Sequence, residues 1–154
     1  MKHILFTLMA LAVCLAAGAQ NTDKIYKEAK ALYDAKQYVQ AVPKLKVAAE
    51  KGHKKAQYRL GRCYEKGHGV AKDPVQAVKW YQLSAKQDYA KAQYRLGKCY
   101  MKGKGVAVDE QQAKSLLKKA VSSKKHGKEI LKEIKEEAAE GDEDEKKILK
   151  LIGK

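Results

Sequence analysis

Apolar residues along the middle of the chain fall into short bursts with a helical period, separated by glycine-rich turns. Ala56, Leu60 and Tyr64 stand four apart and share one helical stripe. Gly61 lies in the same run and lets a partner helix come close. Gly67 and Gly69 follow, where a helix must end and the backbone needs angles other residues resist. Val70 is a lone apolar residue in that turn. Asp73 then reads as the N-cap of a second helix, with Pro74 at its first position and Gln76 three after the cap. Ala77, Tyr81 and Ala85 are again four apart and form that helix's inner stripe. The pattern predicts two antiparallel helices joined by a turn.

The burst is then repeated. Compared at an offset of 36, residues 56–85 and 92–121 are identical at 16 of 30 positions. Asp109 and Gln112 repeat Asp73 and Gln76. Neither helix of a pair can bury its stripe alone, so a fixed period in this range marks stacked units. The offset reaches backwards as well, because "VQAV" at 39–42 returns at 75–78. An earlier pair is expected near 22–35 and 38–51, with a shorter turn and a core of Ala29, Leu32, Tyr38, Ala41, Leu45 and Ala48. Towards the end, Ile130, Leu131, Ile134 and Ala138 share one face, and Ile148, Leu149 and Ile152 share another. Gly141 echoes Gly52, and acidic helix starts with basic ends suit the helix dipole. The predicted fold is all-α, a solenoid of stacked antiparallel helix pairs, about three pairs plus C-terminal capping helices. Its units are about 22–52, 53–88 and 89–124, with a degenerate cap at 127–153.

Ala56, Leu60, Gly61, Tyr64, Gly67, Gly69, Val70, Asp73, Ala77, Trp80 and Tyr81 together resemble the Sel-1-like repeat. The next unit departs late, with Leu116 and Leu117 in place of the Trp-Tyr pair. The first unit, with its short turn, is more similar to the tetratricopeptide repeat. The resemblance covers residues 22–121 and implies an α-solenoid that serves as a binding scaffold rather than a catalyst. Some secreted, cysteine-rich relatives of the repeat family act on or bind β-lactams, but they carry two cysteines per unit and this chain carries one.

The first residues change the picture of where the chain works. Met1-Lys2-His3 is a basic start, Ile4 to Ala17 an uncharged apolar run, and Ala17-Gly18-Ala19 a small-x-small cleavage site. That order is a secretory signal peptide. The expectation is a signal at 1–19, a mature chain of 20–154, and a periplasmic or extracellular location. Lipidation at Cys14 is disfavoured by Val13 before it and by the apolar run continuing past it. No later segment is apolar enough to span a membrane.

Charge adds a general attraction for anions. Lys and Arg number 33 against 18 Asp and Glu, a formal net charge of +15. Catalytic constellations are missing from the pattern. His3, His53, His68 and His126 are not at ligand spacing with one another or with cysteine, so no metal or cofactor site is predicted. "GHGV" and "GKGV" are inter-helix turns and lack the strand-to-helix context of a phosphate loop. Cys63 and Cys99 occupy equivalent sites in successive units. Equivalent helices pack about 9 Å apart, beyond the roughly 7 Å that a disulfide bridges, so both read as small buried residues.

One surface pattern remains. In tetratricopeptide-like stacks the first helix of each pair lines the concave face. Three residues before the small positions Ala29, Gly61 and Gly97 stand Tyr26, Tyr58 and Tyr94; one residue after stand Lys30, Arg62 and Lys98. Each tyrosine precedes its cation by four, which puts the two on one helix face. Five after the small positions come Asp34, Lys66 and Lys102. Tyrosines beside cations form a candidate groove for an extended or acidic peptide; alternatively, the tyrosines shield the seam between units and the cations are solvated. The predicted function is therefore an exported protein–protein interaction scaffold with no specific nucleic-acid partner. The alternative is an exported enzyme or wall-active factor acting on cell-wall peptide or β-lactams, which needs a nucleophile and base the sequence does not display.

Overall fold

Helices form where the stripes fall. The computed structural model describes Gly18 and residues 20–154, so the expected signal segment otherwise lies outside the described residues. Eight helices and no strand make up the described residues. They are α1 (20–34), α2 (Tyr38–Glu50), α3 (Lys54–Lys66), α4 (Pro74–Ala85), α5 (Ala90–Lys102), α6 (Glu110–Ser122), α7 (Gly127–Ala139) and α8 (Glu143–Ile152). Consecutive helices pack as antiparallel pairs, and the pairs stack. The C-terminal helices make a fourth pair on the open end, because Ile130, Ile134, Ile148 and Ile152 bury against the third. None of the described helices is long and apolar enough to cross a membrane.

The helix ends follow the predicted chemistry, with one difference. Gly67 and Gly103 terminate α3 and α5 in the left-handed conformation. The Asp73 carboxylate accepts from the N–H groups of Val75 and Gln76, both at 3.0 Å. Asp109 accepts from the N–H of Gln112 at 2.9 Å. A reciprocal capping box does not form. The Asp73 N–H that Gln76 would accept donates instead to the Tyr64 carbonyl at 2.9 Å, and the Asp109 N–H donates to that of Tyr100 at 3.0 Å. These bonds tie each turn to the helix before it.

Two kinds of glycine set the packing. A Cβ on Gly61 would sit 2.6 Å from the Tyr81 ring, and one on Gly97 would sit 2.8 Å from Leu117 Cγ. The first helix of each pair thus approaches the second through a bare patch of backbone. Gly69 and Gly105, both at φ +70°, lie where their turns rest on the preceding unit. A Cβ on Gly69 would come within 2.6 Å of the Tyr38 carbonyl, and one on Gly105 would collide with the Pro74 carbonyl.

The buried side chains fall into two clusters. One gathers α1, α2 and α3 around Leu45 and Leu60; the other runs from α4 to α8 around Tyr81, Leu117 and Ile134. Tyr64 packs against both. Trp80 and Leu116, which differ between the two repeats, are both partly buried, so the exchange keeps an apolar contact. Cys63 and Cys99 are free and buried, as their spacing implies.

Candidate binding surface

The tyrosines of the expected groove turn out to be seam residues. Tyr26 is 8% exposed and stacks on His53 with ring centroids 4.1 Å apart. Its hydroxyl accepts from Arg59 Nε at 3.1 Å. Tyr58 is half-buried and meets Tyr89 edge-on at 5.3 Å. Tyr94 is 3% exposed, and its hydroxyl donates to the Glu145 carboxylate at 3.2 Å. Burial pushes the Tyr94 hydroxyl well above its ordinary range, and the Glu145 charge adds to the effect. A rail of exposed rings is therefore corrected at Tyr26 and Tyr94: each is covered by the unit that follows it.

The cations divide into engaged and free. Lys30 pairs with Asp34 on its own helix, and Asp34 also accepts from Arg59 Nη1 at 3.3 Å. Lys98 is clamped by Glu145, whose side chain is fully buried, and lies 3.9 Å from Glu137. Lys102 pairs with Asp144. The expectation that Lys98 and Lys102 face a ligand is corrected too. The acidic first turn of α8 covers them, and the sequence pattern placed that segment only as a cap. Arg62 and Lys66 remain. Among the described residues neither has a carboxylate within salt-bridge distance. Arg62 Nε is buried and has no hydrogen-bond partner.

Two features escaped the sequence reading. Arg59 and Arg95 stand one period apart inside the duplicated stretch. Arg59 reaches back across the seam and lies over the Tyr33 ring of the first unit at 5.0 Å, whereas Arg95 lies over Tyr94 of its own helix at 5.8 Å. Burial works against the Arg59 charge, but the hydrogen bond to Tyr26 and the Asp34 carboxylate outweigh it and hold the guanidinium above its usual range. The signal was available, since arginine is the same letter in both copies where the neighbouring cation changes from Arg62 to Lys98. The second feature is a row of rings at helix starts. His53, Tyr89 and His126 are the N-cap residues of α3, α5 and α7. His53 stacks on Tyr26, while Tyr89 meets Tyr58 edge-on and His126 meets Tyr89 edge-on at 5.7 Å. Mixed residue types hid this periodicity.

Chemistry at the surface is otherwise quiet. Burial raises both thiols to about 11, which removes the thiolate that would react. Carboxylate oxygens of Glu137, Asp142 and Glu145 lie within 4.8 Å of one another. Lys98 Nζ already pairs with two of them.

Stacked helix pairs of this kind form the class of helical-repeat solenoids, generally protein–protein interaction scaffolds. Within that class, the two central units are Sel1 repeats, matched by the Sel1 repeat model at residues 54–89 and 90–124. The fold is similar to that of a Sel1 repeat protein from Oxalobacter formigenes, with 36% identity and a TM-score of 0.60 over 62% of this chain and 40% of that one. It is also similar to c5321, a protective antigen present in uropathogenic Escherichia coli strains displaying an SLR fold, with 35% identity and a TM-score of 0.63 over 68% of this chain and 23% of that one. The chain thus spans less than half the length of either. No curated protein matches it.

Proposed function

We propose that the protein is an exported, non-catalytic scaffold that binds an acidic or extended segment of another protein through the face carried by α1, α3 and α5. One observation carries the reading. The cation row already shows its chemistry on the chain itself, where Lys98 and Lys102 take carboxylates from α8. Their counterparts one period earlier, Arg62 and Lys66, have none among the described residues. Recognition there is mainly electrostatic, with the half-buried Tyr58 beside it as apolar contact. Export follows from the basic start, apolar run and small-x-small site at the N-terminus.

The test is retention of an envelope protein by residues 20–154 and by the Arg62→Glu/Lys66→Glu variant. Lys30 and Lys98 are unsuitable positions, because their charges are already paired within the fold. A discrete partner held by the unmodified chain and lost by a variant with the same circular dichroism supports the reading. Equal retention by both places binding elsewhere. A steep loss of binding with salt, transferable to any polyanion, would point instead to a nonspecific polymer. Export is tested by the mass of the protein recovered outside the cytoplasm, which should begin at Gln20.

A further inference from the structure

Of the three junctions between units, two are closed by side chains, each in its own way. Between the first and second units the turn after α3 folds onto α2, and the His68 ring stacks on Tyr38 at 4.1 Å. Between the third and fourth units, Lys102 at the end of α5 is neutralised by Asp144 of α8. The junction between the second and third has neither device. The residue corresponding to His68 is Lys104, and the one corresponding to Lys102 is Lys66. A cavity of about 310 Å³ opens there, lined by Lys66, Lys72 and Lys104, with Glu65, Pro74 and Cys99 among its walls.

The charge balance of this cavity is one-sided. Its three ammonium groups come from three segments: the end of α3, the turn before α4, and the turn after α5. None of the three has a carboxylate within salt-bridge distance among the described residues. The one carboxylate present, Glu65, already accepts from the Tyr81 hydroxyl at 2.9 Å. All three lysines are exposed, and like charges around one hollow favour the entry of an anion, to which ammonium groups adapt without a fixed donor geometry. The walls set a size limit as well. A liquid water occupies about 30 Å³, so the hollow has room for an acidic side chain together with its attached backbone.

We infer that this cavity is the anchor point for an acidic peptide, receiving a carboxylate of the partner between Lys66, Lys72 and Lys104. The chain supplies the precedent one junction on, where the same lysine register takes a carboxylate from the stretch Asp142–Glu145. The inference rests on the scaffold reading above and adds Lys72 and Lys104, which lie outside the tyrosine-cation row. It also extends the footprint from α3 across to the third unit.

The test uses the whole described chain, 20–154, and a fluorescein-labelled peptide with the sequence of residues 141–147 (GDEDEKK), beside a control with its acids replaced by amides. Fluorescence anisotropy gives Kd. The Lys72→Gln/Lys104→Gln variant is expected to weaken binding about tenfold, the scale of two ion pairs in a partly enclosed site. Lys114→Gln/Lys118→Gln, which removes the same charge from the exposed face of α6, should change it less than about twofold. Equal loss in both variants would overturn the anchor and leave only bulk attraction. Binding abolished by Arg62→Glu but untouched by Lys72→Gln/Lys104→Gln would overturn the anchor while keeping the scaffold reading. No binding of the acidic peptide by the unmodified chain would overturn both. Displacement of the peptide by inorganic phosphate but not by acetate at equal ionic strength would assign the cavity to a free oxyanion and overturn the peptide as its occupant.

Discussion

Replacing Gly61 by alanine tests the helix-to-helix contact at the centre of the stack. In an isolated helix the change stabilises, by about 0.5–1 kcal/mol, because alanine loses less backbone entropy than glycine. Here the new methyl would sit 2.6 and 2.7 Å from two carbons of the Tyr81 ring. That ring is 0% exposed, and its far end is held by the 2.9 Å bond to Glu65. Overpacking of a rigid, pinned group costs about 1–3 kcal/mol. The net expectation is a loss of about 1–2 kcal/mol, equivalent to a fall of roughly 4–7 °C in Tm for a chain of this length. Gly97→Ala is the internal control. Its methyl would sit 2.8 Å from Cγ and 3.0 Å from Cδ2 of the buried Leu117, which no hydrogen bond pins, so the loss should be smaller than that of Gly61→Ala, by about 0.5–1 kcal/mol. Tyr81→Leu gives the second unit the third unit's arrangement. The double variant Gly61→Ala/Tyr81→Leu should be at least about 1 kcal/mol more stable than the sum of the two single losses. Urea and thermal melts by circular dichroism measure all four. A Gly61→Ala protein as stable as the parent, or strict additivity in the cycle, would refute the argument that Gly61 is needed for the approach of α3 to α4.

Other expectations follow from the charged and buried groups. His53 Nδ1 accepts from the Ala56 N–H at 3.1 Å while Nε2 faces Asp23 at 3.2 Å, and burial holds its pKa below the ordinary value of 6.5 despite the Asp23 charge. The native state therefore favours neutral imidazole; the stability this gives is complete above about pH 6.5 and declines as pH falls through that value towards the lower native pKa. Urea midpoints between about pH 5 and 8 should show this slope, and His53→Asn, a cap that does not titrate, should flatten it. Lys98→Ala leaves Glu145 buried without its cation and should cost about 3–5 kcal/mol, whereas Glu145→Gln should cost less; a mild Lys98→Ala would mean that water reaches Glu145. Cys63 and Cys99 should resist alkylation at pH 8 in the folded protein and react at once in denaturant, with modification followed by mass.

The helix pairs were legible because a 36-residue period reports which positions share a stripe. Ala56, Leu60, Ala77 and Tyr81 had to be buried whichever way the units stacked, and all four are. The cation row was legible in the same sense, as positions on one helix face. What faces those positions depends on the neighbouring unit, and the period is silent there. Lys98 and Arg62 are equivalent letters in equivalent places, yet one is sealed by Glu145 and the other is not. The difference comes from a C-terminal pair that no longer follows the repeat. Its acidic first turn read as a response to the helix dipole, which it is: the Asp142 carboxylate accepts from two α8 N–H groups. That the same turn also neutralises Lys98 and Lys102 required knowing where α8 lies.

Gly69 and Gly105 carry a consequence for how such a stack can change over time. At both, main chain rests directly on the main chain of the preceding unit. The rise from one unit to the next is thus metered by backbone, with no side chain as spacer. Substitutions elsewhere can alter charge, shape and partner without changing that rise, so long as the two glycines stay. The spiral keeps its pitch while its surface is free to diverge, and one architecture can be handed to many ligands.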